Sequence, residues 1–104
     1  MSTPLTTAIQ TSSMAEYVIK EVTLNNDHDV LMATVVATNP DGGQFAFYVY
    51  RNEERIHTQW YSTTPSLRFD TKAEPGLYRV LSFLLSPDGK KITKYSKPIF
   101  LHPT

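Results

Sequence analysis

The side chains able to do chemistry in this chain are three histidines, scattered carboxylates and a dense run of aromatic rings. His28, His57 and His102 share neither His-x-His nor His-x3-His spacing, so they read as surface or rim residues rather than metal ligands. Serine, histidine and aspartate are abundant enough to draw a triad on paper. No Gly-x-Ser-x-Gly elbow is present to expose a nucleophile. The expectation is no catalytic centre, no cofactor and no metal. Asn25, Asn26, Asp27, Asp29 and Asp41 carry oxygen atoms of the kind that hold calcium at a loop. "NNDHD" lacks the glycine and closing glutamate of an EF-hand loop, and capping of turns explains these residues more simply.

The aromatic run is the sharper signal. Phe45, Phe47, Tyr48, Tyr50, Trp60, Tyr61, Phe69, Tyr78 and Phe83 lie close together in sequence. If they sit on strands, one alternating set fills a core and the other, with Tyr48 and Tyr50, points outward. Outward planar rings with polar neighbours suit a sugar, whose C–H faces stack on the rings while directed polar groups fix its hydroxyls. The candidate binding set is therefore Tyr48, Tyr50, Arg51, His57, Gln59, Trp60 and Tyr61. The competing reading is structural, since tyrosine and tryptophan favour pleated, half-buried surface. A third possibility needs no pocket: the first strand or "RIHTQWYS" pairs with another chain through its open edge.

The elements that must position these residues are short strands. A chain of 104 residues makes one domain, large enough to bury a core without staples. It has no cysteine, which excludes disulfides and thiolate metal sites. The 10 basic and 10 acidic residues balance, against nonspecific nucleic-acid binding. They are unevenly spread, with three basic against seven acidic residues over 16–61 and seven against three over 62–104. Interleaved strands would mix these charges on solvated faces. No apolar run approaches the roughly 18 residues of a membrane span, so no membrane insertion is expected. Residues 1–15, "MSTPLTTAIQTSSMA", lack the basic and apolar regions of a signal peptide and read as a Ser/Thr-rich linker.

Over 16–102 the apolar pattern has period two, broken by turn residues at intervals near ten. Seven strands are predicted, at 16–25, 28–38, 44–51, 55–62, 65–71, 77–85 and 91–101. The first changes parity between Ile19 and Val22, which asks for a bulge or a change of sheet. The second is almost wholly apolar or small, as if both its faces were partly covered. In the fourth, Ile56 and Trp60 cannot be ranked against His57 and Tyr61. "NPDGG" and "SPDGK" mark turns, the second a hairpin with Asp-Gly at its tip. Lysines and Pro98 on the last strand suit a guarded edge. The fold class is all-β, a seven-stranded antiparallel sandwich of immunoglobulin or fibronectin III type, with a small β-barrel as the alternative.

Residues 45–99 resemble the fibronectin-like domains of the bacterial triple-tyrosine kind. The likeness rests on the aromatic third strand ending in Arg51-Asn52, the Trp60-Tyr61 pair, "PGLYRV" and the Pro-Asp-Gly-Lys hairpin leading into "KYSKPI". It implies an accessory domain of a larger bacterial protein, in an extracytoplasmic or cell-surface setting, with no catalytic residues. The function expected is a non-catalytic interaction module contacting polysaccharide or a protein partner. The alternatives are a structural spacer or oligomerisation domain and, further off, a small enzyme. Fold alone carries that inference by analogy. Within "EPGLYRVLSFLL", Tyr78 sits where a tyrosine corner would place an inward ring whose hydroxyl bonds backbone upstream. Leu81 and Phe83 then fall on the opposite face by parity and need a cover.

Overall fold

The computed structural model describes residues 17–38 and 42–103. The linker expected at 1–15, Glu16 and the start of the 39–43 turn lie outside them. Eight antiparallel strands are described: β1 (Val18–Asp27), β2 (Val30–Thr38), β3 (Gln44–Arg51), β4 (Glu54–Ser62), β5 (Ser66–Asp70), β6 (Gly76–Leu85), β7 (Lys91–Tyr95) and β8 (Ile99–Leu101). The smaller sheet has the order β1-β2-β5; the larger has β4-β3-β6-β7, with β8 also paired to β6. Two separate sheets with free edges face each other, and among the described residues no strand closes them into a barrel.

The inner faces follow the period-two pattern. From the larger sheet, Phe45, Phe47 and Val49 of β3 and Tyr78, Val80 and Leu84 of β6 point inward; Ile19, Val22, Leu31, Ala33, Val35 and Leu67 meet them from the smaller sheet. Each large side chain fully buried there stabilises by roughly 1.5–3 kcal/mol against exposure. Ser82 is the polar member of the inner face, and its hydroxyl donates to the Lys94 carbonyl at 3.1 Å.

The parity change in β1 is a bulge. Ile19 pairs with Ala37 and Glu21 with Val36, leaving Lys20 as the extra residue. On β2 the expectation that both faces are partly covered holds only for the first half of the strand, where outward Val30 and Met32 are half-buried. Leu31, Ala33 and Val35 are buried, but Thr34 and Val36 face outward and are exposed, so an apolar sequence here did not mean an apolar environment.

The predicted seventh strand, 91–101, is two strands, so the count is eight. Tyr95 pairs with Leu81 and Ile99 with Tyr78, which sets three residues of the last segment against two of β6. At this break Ser96 N–H donates to the Val80 carbonyl, while Val80 N–H donates to the Ser96 hydroxyl rather than to a backbone carbonyl. Pro98, with no N–H, sits in the gap where no ladder bond is needed.

The β6–β7 connection is longer than a two-residue turn. Ser86 N–H bonds the Lys90 carbonyl and Gly89 N–H bonds the Ser86 carbonyl. Pro87, Asp88 and Gly89 thus form a three-residue loop, in which Gly89 takes the positive φ of +92°. The Asp88 carboxylate accepts from the Ser86 hydroxyl, and this bond holds its pKa below the ordinary carboxylate value.

Candidate functional site: the outer face of the larger sheet

The register of the larger sheet gathers its outward side chains into one layer. Tyr48 lies opposite Leu81, Tyr50 opposite Arg79, and Ala46 opposite Phe83. Across the next pair, Leu81 faces Tyr95, Phe83 faces Thr93 and Leu85 faces Lys91. On the other side Tyr48 faces Thr58 and Tyr50 faces Arg55.

The rings touch in sequence across the sheet. Phe83 and Tyr48 meet edge to face at 4.8 Å between centroids, Tyr48 and Tyr50 at 6.4 Å, and Tyr50 and Tyr95 at 6.2 Å. Cations lie over them. The Arg55 guanidinium is 4.4 Å from the Tyr48 centroid. The Arg79 guanidinium is 4.2 Å from Tyr95 and 5.8 Å from Tyr50, and the Lys91 ammonium is 6.0 Å from Phe83. Contacts of this kind contribute about 0.5–1 kcal/mol each where exposed and hold the side chains flat against the sheet. Burial pushes the Tyr50 phenol above its ordinary pKa, with Tyr95 next in effect; burial and then Tyr48 do the same for Tyr61.

No family model matches the chain, and no curated protein matches it.

Leu81 and Phe83 are half-buried within their own sheet, Leu81 between Tyr48 and Tyr95 and Phe83 against Tyr48 with the Lys91 ammonium over its ring. No other element of the described chain lies over them. The outward layer of a two-layer sandwich is ordinarily polar. Here rings and aliphatic side chains remain partly open, Tyr95 being 46% exposed and Leu77, at the rim, 40%.

The seven residues taken from sequence as one binding set do not share one face. Tyr48 and Tyr50 belong to the outer layer, and Tyr61 is near enough to Tyr48 for its phenol to feel it. Two bulges in β4 decide the rest. Between the pairs Phe45–Ser62 and Phe47–Gln59, Ala46 faces both Trp60 and Tyr61; between Val49–His57 and Tyr50–Arg55, Ile56 is extra. His57 and Gln59 thereby point to the inner side. His57 packs its ring 5.0 Å from Phe69 of the smaller sheet, and Gln59 Nε2 donates to the Ser66 carbonyl at 3.4 Å. Both join the two sheets along the β4–β5 side. Trp60 stands apart, 73% exposed on the free β4 edge.

Arg51 is engaged elsewhere. It lies opposite Tyr78 and makes an ion pair with Glu74; the Tyr78 hydroxyl beside it is the largest influence holding its pKa up. Tyr78 itself is wholly buried and donates to the Glu74 carbonyl at 2.7 Å. Arg51, Glu74 and Tyr78 line a cleft of about 380 Å³ together with Ile56, Phe69 and Asp70 through Lys72.

The remaining titratable side chains do not converge. His28 Nδ1 lies 2.9 Å from an Asp27 carboxylate oxygen with both residues at the surface, and His102 packs on Phe100. Among the described residues, no three histidines and carboxylates sit close enough together to hold a metal ion.

The sequence reading missed Arg55, Arg79 and Tyr95 as members of the outer layer. Arg79 was within reach, because it shares the parity of Leu77 and Leu81. Arg55 and Tyr95 were not, since their placement depends on the β4 bulges and the β6–β7 loop length.

Proposed function

We propose that this chain is a non-catalytic interaction module, a fibronectin type III-like sandwich serving as an accessory domain of a larger bacterial protein, and that it meets a partner protein through the outer face of its larger sheet. The observation that carries this is the continuous ring layer Phe83, Tyr48, Tyr50 and Tyr95 on a face over which the described chain places nothing. Partly open apolar patches rimmed by polar side chains are what protein interfaces use. The fold assignment is supported by the strand order, a three-stranded sheet of the first, second and fifth strands against one built on the third, fourth, sixth and seventh. The buried tyrosine after Pro75-Gly76 supports it too.

Photo-crosslinking tests the face. Benzoylphenylalanine placed at Tyr95 is expected to give a discrete adduct in a lysate of the encoding organism. The same probe at Thr34, outward on the smaller sheet, is expected to give none. A spacer would give none at either position, and equal adducts at both would remove the assignment of the face.

Trp60 favours a second reading, contact with polysaccharide. It is the most exposed large apolar side chain described and, as an edge-strand ring, has a free face for a sugar to stack on. It is also the single tryptophan in the chain, so its fluorescence reports on that site alone. The sugar reading expects a saturable emission shift with at least one oligosaccharide class from a glycan panel, and loss of that binding in Trp60→Ala. Unchanged emission across the panel sinks it.

A further inference from the structure

The charge on the proposed interaction face defines its partner further, an argument that rests on that face being the one used. Outward positions of β3, β4, β6 and β7 hold Arg55, Arg79 and Lys91 and no aspartate or glutamate. The ion pairs among the described residues are His28–Asp27 and Arg51–Glu74, both away from this face. Arg55, Arg79 and Lys91 thus have no carboxylate partner among the described residues. Glu53 borders the end of the face, in a small cleft with Tyr50, Leu77 and Arg79, and makes no ion pair there.

We propose that the outer face of the larger sheet binds an acidic polypeptide segment, with carboxylates of the partner on Arg55 and Arg79 and its apolar side chains over Leu81, Phe83 and Tyr95. A guanidinium stacked on a ring keeps its planar edge of N–H donors free, and that edge matches a carboxylate with two parallel hydrogen bonds. The tyrosines hold each fork in place before the partner arrives, which lowers the ordering cost of binding. The surface between the cations separates a polypeptide from an acidic glycan. Leu81, Phe83 and Leu85 are half-buried there, and a polyol has no apolar side chains to cover them. Moreover, the guanidiniums of Arg55 and Arg79 lie over the Tyr48 and Tyr95 rings on which a sugar would stack.

The test is an NMR titration of the whole chain with a random glutamate–tyrosine copolymer, with polygalacturonate and dextran as comparison arms. The copolymer is expected to shift the Arg55 and Arg79 side-chain Nε–H signals and the Tyr48, Tyr50 and Tyr95 ring signals, with binding that weakens as salt is raised. Arg55→Gln with Arg79→Gln should weaken it by about tenfold or more, on the scale of losing charged contacts at an interface. Arg68→Gln, on the smaller sheet, should leave it unchanged, and the dispersed spectrum of each variant shows that it folds. Equal loss in the Arg68 variant would overturn the proposal as general charge attraction. Shifts at these residues with polygalacturonate but not with the copolymer would overturn it in favour of a glycan and leave the face intact as a binding site. No shift in any arm would overturn it as well. A crosslink at Tyr95 would then show that the face is used by a partner of other chemistry, and its absence would remove the face too.

Discussion

Gly76→Ala is expected to destabilise the domain by about 2–4 kcal/mol, from backbone strain and from a collision. Gly76 begins β6 with φ at +146°, a conformation that side-chain-bearing residues rarely adopt. A Cβ added there would stand 2.9 Å from Arg51 Cγ and 3.1 Å from Asn52 Oδ1. Neither neighbour moves without loss. Arg51 holds the Glu74 carboxylate, and Asn52 Oδ1 accepts the Leu77 N–H at 3.0 Å while Asn52 N–H donates to the Leu77 carbonyl at 2.8 Å. The β3–β4 turn is thus stitched to the start of β6 at the one point where a side chain would intrude. Gly89→Ala gives the comparison. Its φ of +92° brings strain, but no atom lies within 4 Å of the added carbon. Urea denaturation at unchanged slope should therefore show the Gly76 substitution costing clearly more than the Gly89 one. Equal costs would mean that strain alone acts and that Arg51 and Asn52 yield freely.

Alternation made the β3 and β6 faces legible because both strands pair on two sides, run without interruption, and bury one face completely. Phe47 and Val80 could be placed inward from their parity alone. β4 was not legible for the opposite reason. It is an edge strand with two bulges, at Ile56 and at Trp60–Tyr61, so period two holds only across 57–60, and there the polar His57 and Gln59 take the inner side while Trp60 faces out, the reverse of what apolar character would assign. The grouping of Arg51, His57 and Gln59 with Tyr48 and Tyr50 followed sequence proximity. Arg51 shares the parity of Val49, which sends it towards Tyr78 and away from the tyrosine face. The β7–β8 break hides in the stretch 96–98, which has no apolar alternation of its own, although across it the inward apolar set moves from even to odd positions, Ile92 before and Ile99 and Leu101 after. The charge layer is an emergent product of register: Arg55 and Arg79 are 24 residues apart and come to either side of Tyr50 because β3 lies between their strands. Both halves of the sequence contribute cations to that face, so the uneven charge along the chain gave no sign of it.

Tyr78→Phe should cost roughly 1–2 kcal/mol, the price of one buried hydrogen bond, with the ring still seated in the core. The hydroxyl is the only part removed. It donates to the Glu74 carbonyl four residues upstream, and the Glu74 carboxylate in turn pairs with Arg51, so the hydroxyl helps tie three segments together: the start of β6, the 71–75 connection and the end of β3. That connection needs a tie. Lys72 and Ala73 both have φ near +55°, at 55° and 58°, a costly pair for residues with side chains. Local bonds from Thr71 and Asp70 hold them: Lys72 N–H donates to the Asp70 carboxylate, and Ala73 N–H donates to the Thr71 hydroxyl. The Tyr78 hydroxyl closes the far end of the same loop. Its loss should therefore appear in two measurements, a lowered denaturation midpoint and faster amide exchange across 71–76, while amides of β3 and β6 slow and quicken only with global stability. An unchanged midpoint would show that water replaces the hydroxyl at no cost and that Tyr78 is a core ring rather than an anchor. If the anchor holds, the tyrosine-rich chain divides its rings by role: Tyr78 fixes the fold from within, and Tyr48, Tyr50 and Tyr95 are left free to carry the arginines on the face opposite.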